Sequence, residues 1–214
     1  MTTRTIAPLT DRLREATAAA HEEAEHSGFM SDLLDGKLDV GAVGALAGQL
    51  RFVYGALEDA VRTIAGTPVG AAIADPRLER ATRLDEDLDH LLGPRWRGDL
   101  KPLPATVCYA NRLADLARAA GAAAIAGHHY VRYLGDLSGG QIIARRLRDH
   151  YGIDGDGARF YDFGAVGKIK PSRDAYRARR DALDLPGDVA ERAIAEAVLA
   201  FRLNTALFRE LGSA

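Results

Sequence analysis

Apolar residues recur at intervals of three and four along most of the chain, the pattern of helices that bury one face. Thr10 or Asp11 is placed to cap a first helix carrying Leu13, Thr17, Ala20, His21 and Ala24, which stops near Ser27-Gly28. A second starts near Asp39 and holds Val43, Leu46, Leu50, Val53, Tyr54, Leu57 and Val61 before Gly66. Asp75-Pro76 reads as an N-cap with proline at the first helical position, opening a helix through Leu78, Leu84, Leu88 and Leu91 to Gly93-Pro94. After Pro102 and Pro104 a fourth stripe contains Val107, Leu113 and Leu116 and ends near Gly121. Residues 122–150 are helical at both ends but carry Gly135, Gly139 and Gly140 inside. The last helices span about 172–183 and 188–211, split by Pro186-Gly187. The one strand-like run, Phe160-Tyr161-Asp162-Phe163, is too short and isolated to build a sheet. The pattern predicts a single all-α domain over residues 1–214, with six or more helices and an ordered core over about 10–210.

Composition narrows the class. A chain of 214 residues that is 47% hydrophobic and 27% charged is neither disordered nor fibrous, and it can bury a core without disulfides or a structural metal. The formal net charge of -2 makes nucleic acid an unexpected partner. No apolar run approaching the roughly 20 residues of a membrane span is expected, nor is the N-terminus that of a signal peptide. Cys108 stands alone, which excludes an internal disulfide, a redox CxxC pair and a cysteine-ligated iron–sulfur cluster. A cytoplasmic, monomeric protein without a membrane anchor is the expectation.

Candidate chemistry begins with Tyr130-Val-Arg-Tyr-Leu-Gly-Asp-Leu-Ser-Gly-Gly-Gln141. Three glycines within six helical residues cost on the order of 3 kcal/mol relative to alanine. Either the helix bends there, or something approaches its backbone more closely than a Cβ allows. Gly135 and Gly139 share a face, and such a bare strip suits a flat, rigid ligand; a tight crossing with another helix would use the same residues. Asp136 would then sit beside the ligand rather than against it.

His21 lies in the apolar stripe of the first helix, where a histidine is commonly a satisfied core residue. Glu25, one turn later, is spaced to accept a ring N–H and orient an imidazole that ligates a metal through its other nitrogen. Arg14 lies about 10 Å before His21 on the same face, which matches the reach from a macrocycle's metal to its acidic edge. Glu23-Ala-Glu-His26 and Asp87-Leu-Asp-His90 resemble the ligand pairs of di-iron bundles, but two further inward Glu residues are lacking. His128 and His129 have no assigned chemistry. Lys168, Lys170, Arg173, Arg177, Arg179 and Arg180 fall within thirteen residues opposed by Asp174 alone. They read as a solvated face, a carboxylate clamp at Arg173 and Arg177, or a dock for an acidic partner.

Together these residues resemble the heme oxygenase family. The similarity rests on Tyr130-x-Arg-Tyr-Leu-Gly-Asp-Leu-Ser-Gly-Gly140 and on Ala-Thr-x-x-x-His21-x-x-Ala-Glu25 followed by Phe29-Met30. Tyr54-x-Ala-Leu-Glu58, Tyr176-Arg177-x-Arg179 and Phe201-x-x-Asn204-x-x-Leu-Phe208 extend it over about residues 10–210.

The resemblance implies a heme b group between a proximal N-terminal helix and a glycine-kinked distal helix, serving as both substrate and cofactor. Oxygen and electrons would open the ring to biliverdin, CO and ferrous iron, in iron acquisition or pigment synthesis. His21 would be the axial ligand and Glu25 its partner, while Arg14, Arg173 and Arg177 would meet the propionates. Tyr130, Ser138 and Phe201 would line the ring. Gly135 and Gly139 would let the distal backbone approach, and Asp136 would deliver protons through water held by Tyr54, Arg132, Tyr109 and Asn204. With no G-x-G-x-x-G fingerprint, electrons would come from a ferredoxin with its reductase or another NAD(P)H-dependent reductase, docking on the basic segment. A carrier or sensor that binds heme without degrading it, a di-iron oxidase and a cofactor-free interaction protein are the alternatives.

Overall fold

A computed structural model describes residues 7–213, and among the described residues every regular element is helical. In chain order the helices are α1 (Leu9–Glu25), α2 (Gly28–Leu34), α3 (Val40–Thr63), α4 (Pro68–Ile73), α5 (Ala81–Leu91), α6 (Trp96–Asp99) and α7 (Pro104–Arg118). They are followed by α8 (Ala122–His129), α9 (Gly135–Tyr151), α10 (Ile169–Asp181) and α11 (Gly187–Leu211). The central layer is α3, packed on α5 and α7, and α11 lies along α8, α1 and α7. Leu13, Val53, Tyr54, Leu57, Leu113, Ile125, Ala193, Ala197 and Leu207 close the core.

The all-α reading holds, and the boundaries differ where the capping group comes from elsewhere in the chain. Asp39 caps α3 locally, its Oδ1 accepting from the Ala42 N–H at 2.9 Å. α1 instead starts before Thr10, whose N–H and hydroxyl donate to Asp181 at the end of α10 at 2.9 and 2.7 Å. Asp75 caps only the single turn Pro76–Leu78. The predicted helix breaks there, and α5 opens where Arg80 and Ala81 N–H groups donate to Glu58 Oε1 of α3 at 2.6 and 3.0 Å. The Ala105 N–H in the first turn of α7 finds Glu210 of α11 at 2.7 Å. The strand-like Phe160 run is a turn of 3-10 helix, Arg159–Tyr161, whose Arg159 and Phe160 N–H groups donate to Asp87 at 2.7 and 2.8 Å.

The segment expected to bend at its glycines bends before them. Between α8 and α9 the chain forms a π-helical turn, Tyr130–Leu134, and Gly135 begins a regular α-helix. Close helix crossing occurs at Gly127, where a Cβ would lie 2.3 Å from the Ala193 carbonyl oxygen of α11. α3 is long and apolar enough to cross a membrane by length and composition, contrary to the expectation that no segment approaches this. It is the core helix: half of that window is buried, and it takes Gln49, Tyr54 and Glu58 inside with it.

Candidate functional site

The start of α9 presents bare backbone to open space. A Cβ built on Gly135 or Gly139 would meet nothing within 4 Å, so neither glycine serves a helix crossing. Asp136, between them in sequence, turns inward and is bonded to the Tyr54 hydroxyl of α3. Arg132, carried on the π-helical turn, donates from Nε to the Tyr54 oxygen at 3.1 Å and from Nη1 to Asn204 Oδ1 of α11 at 2.9 Å. Its Nη2 stands 3.9 Å from Asp136, a charge contact rather than a hydrogen bond. Four elements therefore converge on one buried carboxylate.

The electrostatics of that carboxylate are balanced. Burial pushes the Asp136 carboxyl up, while the Arg132 charge and the Tyr54 hydrogen bond pull it back. The Tyr54 phenol, fully buried, is driven well above its ordinary value and stays a donor. Asp136 can thus exchange a proton while Tyr54 and Arg132 hold it in place.

On α1, His21 is half-exposed and its ring edge meets Phe201 of α11 at a centroid distance of 5.4 Å. Nε2 lies 3.6 Å from Glu25 Oε1, too long for a hydrogen bond, so a turn of the ring exchanges which nitrogen faces the carboxylate. Phe201 and Asn204 are one turn apart on α11. The His21 contact and the Arg132 contact consequently flank the same stretch of that helix.

Arg173 of α10 reaches α9, with Nη1 3.4 Å from the Ser138 hydroxyl, and its buried Nε has no partner. That unspent donor beside an open glycine strip suits an anionic group on a flat ligand. Arg177 and Arg14 lie close enough to Tyr130 for their charges to oppose the upward push that burial gives its phenol. Among the described residues Arg14 is otherwise paired with Asp11 alone, at 3.1 Å. The propionate-clamp candidates and Tyr130 thus gather at one end.

Tyr109 is buried, and its hydroxyl bonds His128 Nδ1 at 3.3 Å rather than Arg132 or Asn204. His128 Nε2 in turn meets Glu196 at 2.9 Å, and Arg112 of α7 closes on the same carboxylate. Burial raises the Glu196 carboxyl, but the bonds from His128 and Arg112 outweigh it and hold it at about 2. His129 accepts from Tyr176 at 2.7 Å because Arg180 already donates to that hydroxyl at 3.0 Å, and burial keeps the imidazole well below its ordinary value. The sequence reading passed over both histidines, Glu196 and Arg80; a charged residue recurring in an apolar stripe was the available signal. The basic segment also divides. Arg180 is fully buried and bonds the Ala126 carbonyl at 2.9 Å, and Arg179 bonds the Ala72 carbonyl at 3.1 Å. Lys168 and Lys170 are exposed.

The di-iron candidates are spent elsewhere: Asp87 serves backbone amides and Glu23 pairs with Arg209 at 2.7 Å. Among the described residues no three His, Cys, Asp or Glu side chains gather to hold a metal ion.

Comparison with known proteins assigns this arrangement a lineage. A sequence model of the heme oxygenase family matches residues 7–210. The heme oxygenase of Porphyra purpurea is 34% identical over 97% of this chain and 88% of its own length. A crystal structure of heme oxygenase-1 from the cyanobacterium Synechocystis in complex with heme superposes with a TM-score of 0.92 at 33% identity, covering 97% of this chain and 93% of that one. The structure of heme oxygenase from Leptospira interrogans gives a TM-score of 0.91 at 31% identity, over 95% of this chain and all of that one.

Proposed function

The chain belongs to the heme oxygenase family, and we propose from that premise how its residues degrade heme. It is an oxidoreductase that cleaves heme oxidatively to biliverdin, CO and ferrous iron, with heme as both substrate and cofactor. Bound heme supplies the iron at which O2 is activated. Everything else falls to the polypeptide.

His21 would hold the iron through one ring nitrogen, and Glu25 would orient the other once the ring is turned. Arg14, Arg173 and Arg177 would take the propionates, and the Arg173 Nε, buried without a partner, would gain one if the side chain turned toward the ligand. Tyr130, Ser138 and Phe201 border the ring. Gly135 and Gly139, with no side chain and open space before them, would let a flat ring lie close to the backbone and leave no room for an added substrate. Asp136 relays protons through ordered water; Tyr54 bonds its carboxylate, Arg132 stands beside it, and Asn204 holds Arg132. Tyr109, expected in this group, bonds His128 and through it Glu196 instead, and takes no part in holding Asp136.

Electrons come from outside, from a ferredoxin with its reductase or another NAD(P)H-dependent reductase, since Cys108 offers no cluster and no nucleotide fingerprint is present. One chain carries every residue named, so a monomer suffices. An exposed free thiol at Cys108 suits the reducing cytoplasm.

The observation that carries this reading is the buried Tyr54–Asp136–Arg132–Asn204 group beside two glycines whose missing Cβ atoms face open space. Hemin titration followed by ascorbate in air tests it. A one-to-one complex whose Soret band decays as a far-red biliverdin band grows is expected. Asp136→Ala should bind hemin normally and lose at least about tenfold in biliverdin yield. A complex stable to reductant and air would instead make the protein a heme carrier, and an undiminished yield from Asp136→Ala would remove the proton-relay role.

A further inference from the structure

Asp181 occupies a position that its own helix disfavours. It is the last residue of α10, where the helix dipole is negative and a carboxylate is repelled. Its two oxygens accept instead from the N–H and the hydroxyl of Thr10, in the first turn of α1, where the dipole is positive. The end of one helix thereby caps the start of another. Among the described residues these are the only hydrogen bonds between α1 and α10.

The clamp lies in register with the binding residues proposed above. Arg14 follows Thr10 by four residues and Arg177 precedes Asp181 by four, so each arginine sits one turn, about 6 Å, inward from the clamp. Arg173 lies one further turn along α10. His21, eleven residues after Thr10, returns to the same side of α1 about 16 Å away. The arginines of one helix and the histidine and arginine of the other therefore share a single mechanical reference point.

Each helix is also anchored independently. α1 is tied to α11 by Arg12–Glu191 and by Arg209–Glu23, both at 2.7 Å. α10 is tied to α8 through Tyr176–His129 and Arg180–Ala126. Cutting the clamp leaves both helices docked and frees only their setting relative to one another.

We propose that the Thr10–Asp181 clamp is a positioning device that sets the spacing of Arg14 against Arg177 and Arg173, and so selects the in-plane seating of heme and the meso carbon that is opened. Neither residue touches the substrate. The inference rests on the heme-cleaving function proposed above, and it adds a specificity determinant outside the site itself.

The test separates the regioisomers of biliverdin made by wild type, Asp181→Ala, Thr10→Val and Asp181→Asn, with heme methyl resonances of the ferric cyanide complex as a second readout of seating. Asp181→Ala should shift the isomer ratio by about threefold or more and split the methyl resonances into two sets. Thr10→Val, which keeps the backbone bond, should shift it less. Asp181→Asn, which still accepts from the Thr10 N–H, should retain the wild-type ratio. If Asp181→Ala lowers the thermal midpoint but leaves ratio and resonances unchanged, the clamp is a helix cap only and the proposal fails. Absence of biliverdin from the wild type would instead overturn the functional reading on which it rests.

Discussion

Gly135 and Gly139 hold the clearest physical signature of the site, because each pays helix propensity without a crowding neighbour to require it. Neither has a positive φ, and no atom lies within 4 Å of the position a Cβ would take. Alanine at either place should therefore stabilise the ligand-free protein by about 0.5–1 kcal/mol. The same methyl groups should weaken hemin binding and slow biliverdin formation if the open space they enter is where the ring lies, as proposed. Gly127→Ala should do the opposite to stability and cost about 1–3 kcal/mol or more, because its Cβ would press on the α11 backbone at Ala193. Urea unfolding of the three variants without hemin, then hemin titration, checks both halves. Loss of stability at Gly139→Ala would mean that some segment packs on this strip after all. The glycine strip was legible from sequence because it is a local violation of helix chemistry, whereas Tyr54, Arg132 and Asn204 around Asp136 were reachable only through the resemblance to a family. The partners of Tyr109 were not: its bond to His128 depends on where α7 and α8 meet, which no spacing within either helix specifies.

Helix interiors were readable from their apolar stripes, whereas several helix starts were not, and the reason is a recurring device. α1, α5 and α7 have no capping side chain of their own and borrow Asp181, Glu58 and Glu210 from α10, α3 and α11. A cap supplied from 22 or more residues away leaves no mark beside the helix it starts, so the sequence points to Thr10 or Asp11 for α1 and to Asp75, which caps only one turn, for α5. The π-helical turn at Tyr130–Leu134 was equally hidden, since all five of its residues are buried and none is a helix breaker. Glu196 illustrates the same economy between elements, joining α11 to His128 of α8 and Arg112 of α7. Its pKa of about 2 lies below its ordinary 4.5, so the native state holds fewer protons than the unfolded chain between those values. The stabilisation is complete above about pH 4.5 and is lost as pH falls toward 2, an upper limit on the order of 3 kcal/mol. Glu196→Gln should accordingly destabilise the protein at pH 7, with the gap to wild type closing below pH 4.5. Urea midpoints measured at steps of pH decide this; a gap independent of pH would show that the carboxylate's charge contributes nothing.

At the scale of the molecule, a net charge of -2 conceals an uneven surface. Of the six basic residues in the 168–180 segment, Arg180 is buried beneath Tyr176, Arg179 is exposed but bonds the Ala72 carbonyl, and Arg173 turns toward Ser138. Lys168 and Lys170 at the start of α10 are exposed and without an ion pair among the described residues, and Arg145 and Arg146 lie on the exposed side of α9. These flank the elements that carry Asp136 and the arginine clamp, so a donor docked there would sit near the heme edge. An acidic electron donor would be steered to that face by long-range attraction, which salt weakens once the Debye length falls to about 10 Å near 0.1 M. Ascorbate, small and weakly charged, needs no such steering. Lys168→Glu combined with Lys170→Glu should therefore raise the KM for a ferredoxin or flavin reductase severalfold, on the order of 10-fold at low salt, while the ascorbate-driven rate stays at wild type. Added salt should slow the donor-driven reaction of the wild type and narrow its advantage over the double variant. Parallel assays with the two reductants across a salt series make the comparison. Equal losses with donor and with ascorbate would place these lysines in support of the fold or of heme, and move the docking face elsewhere.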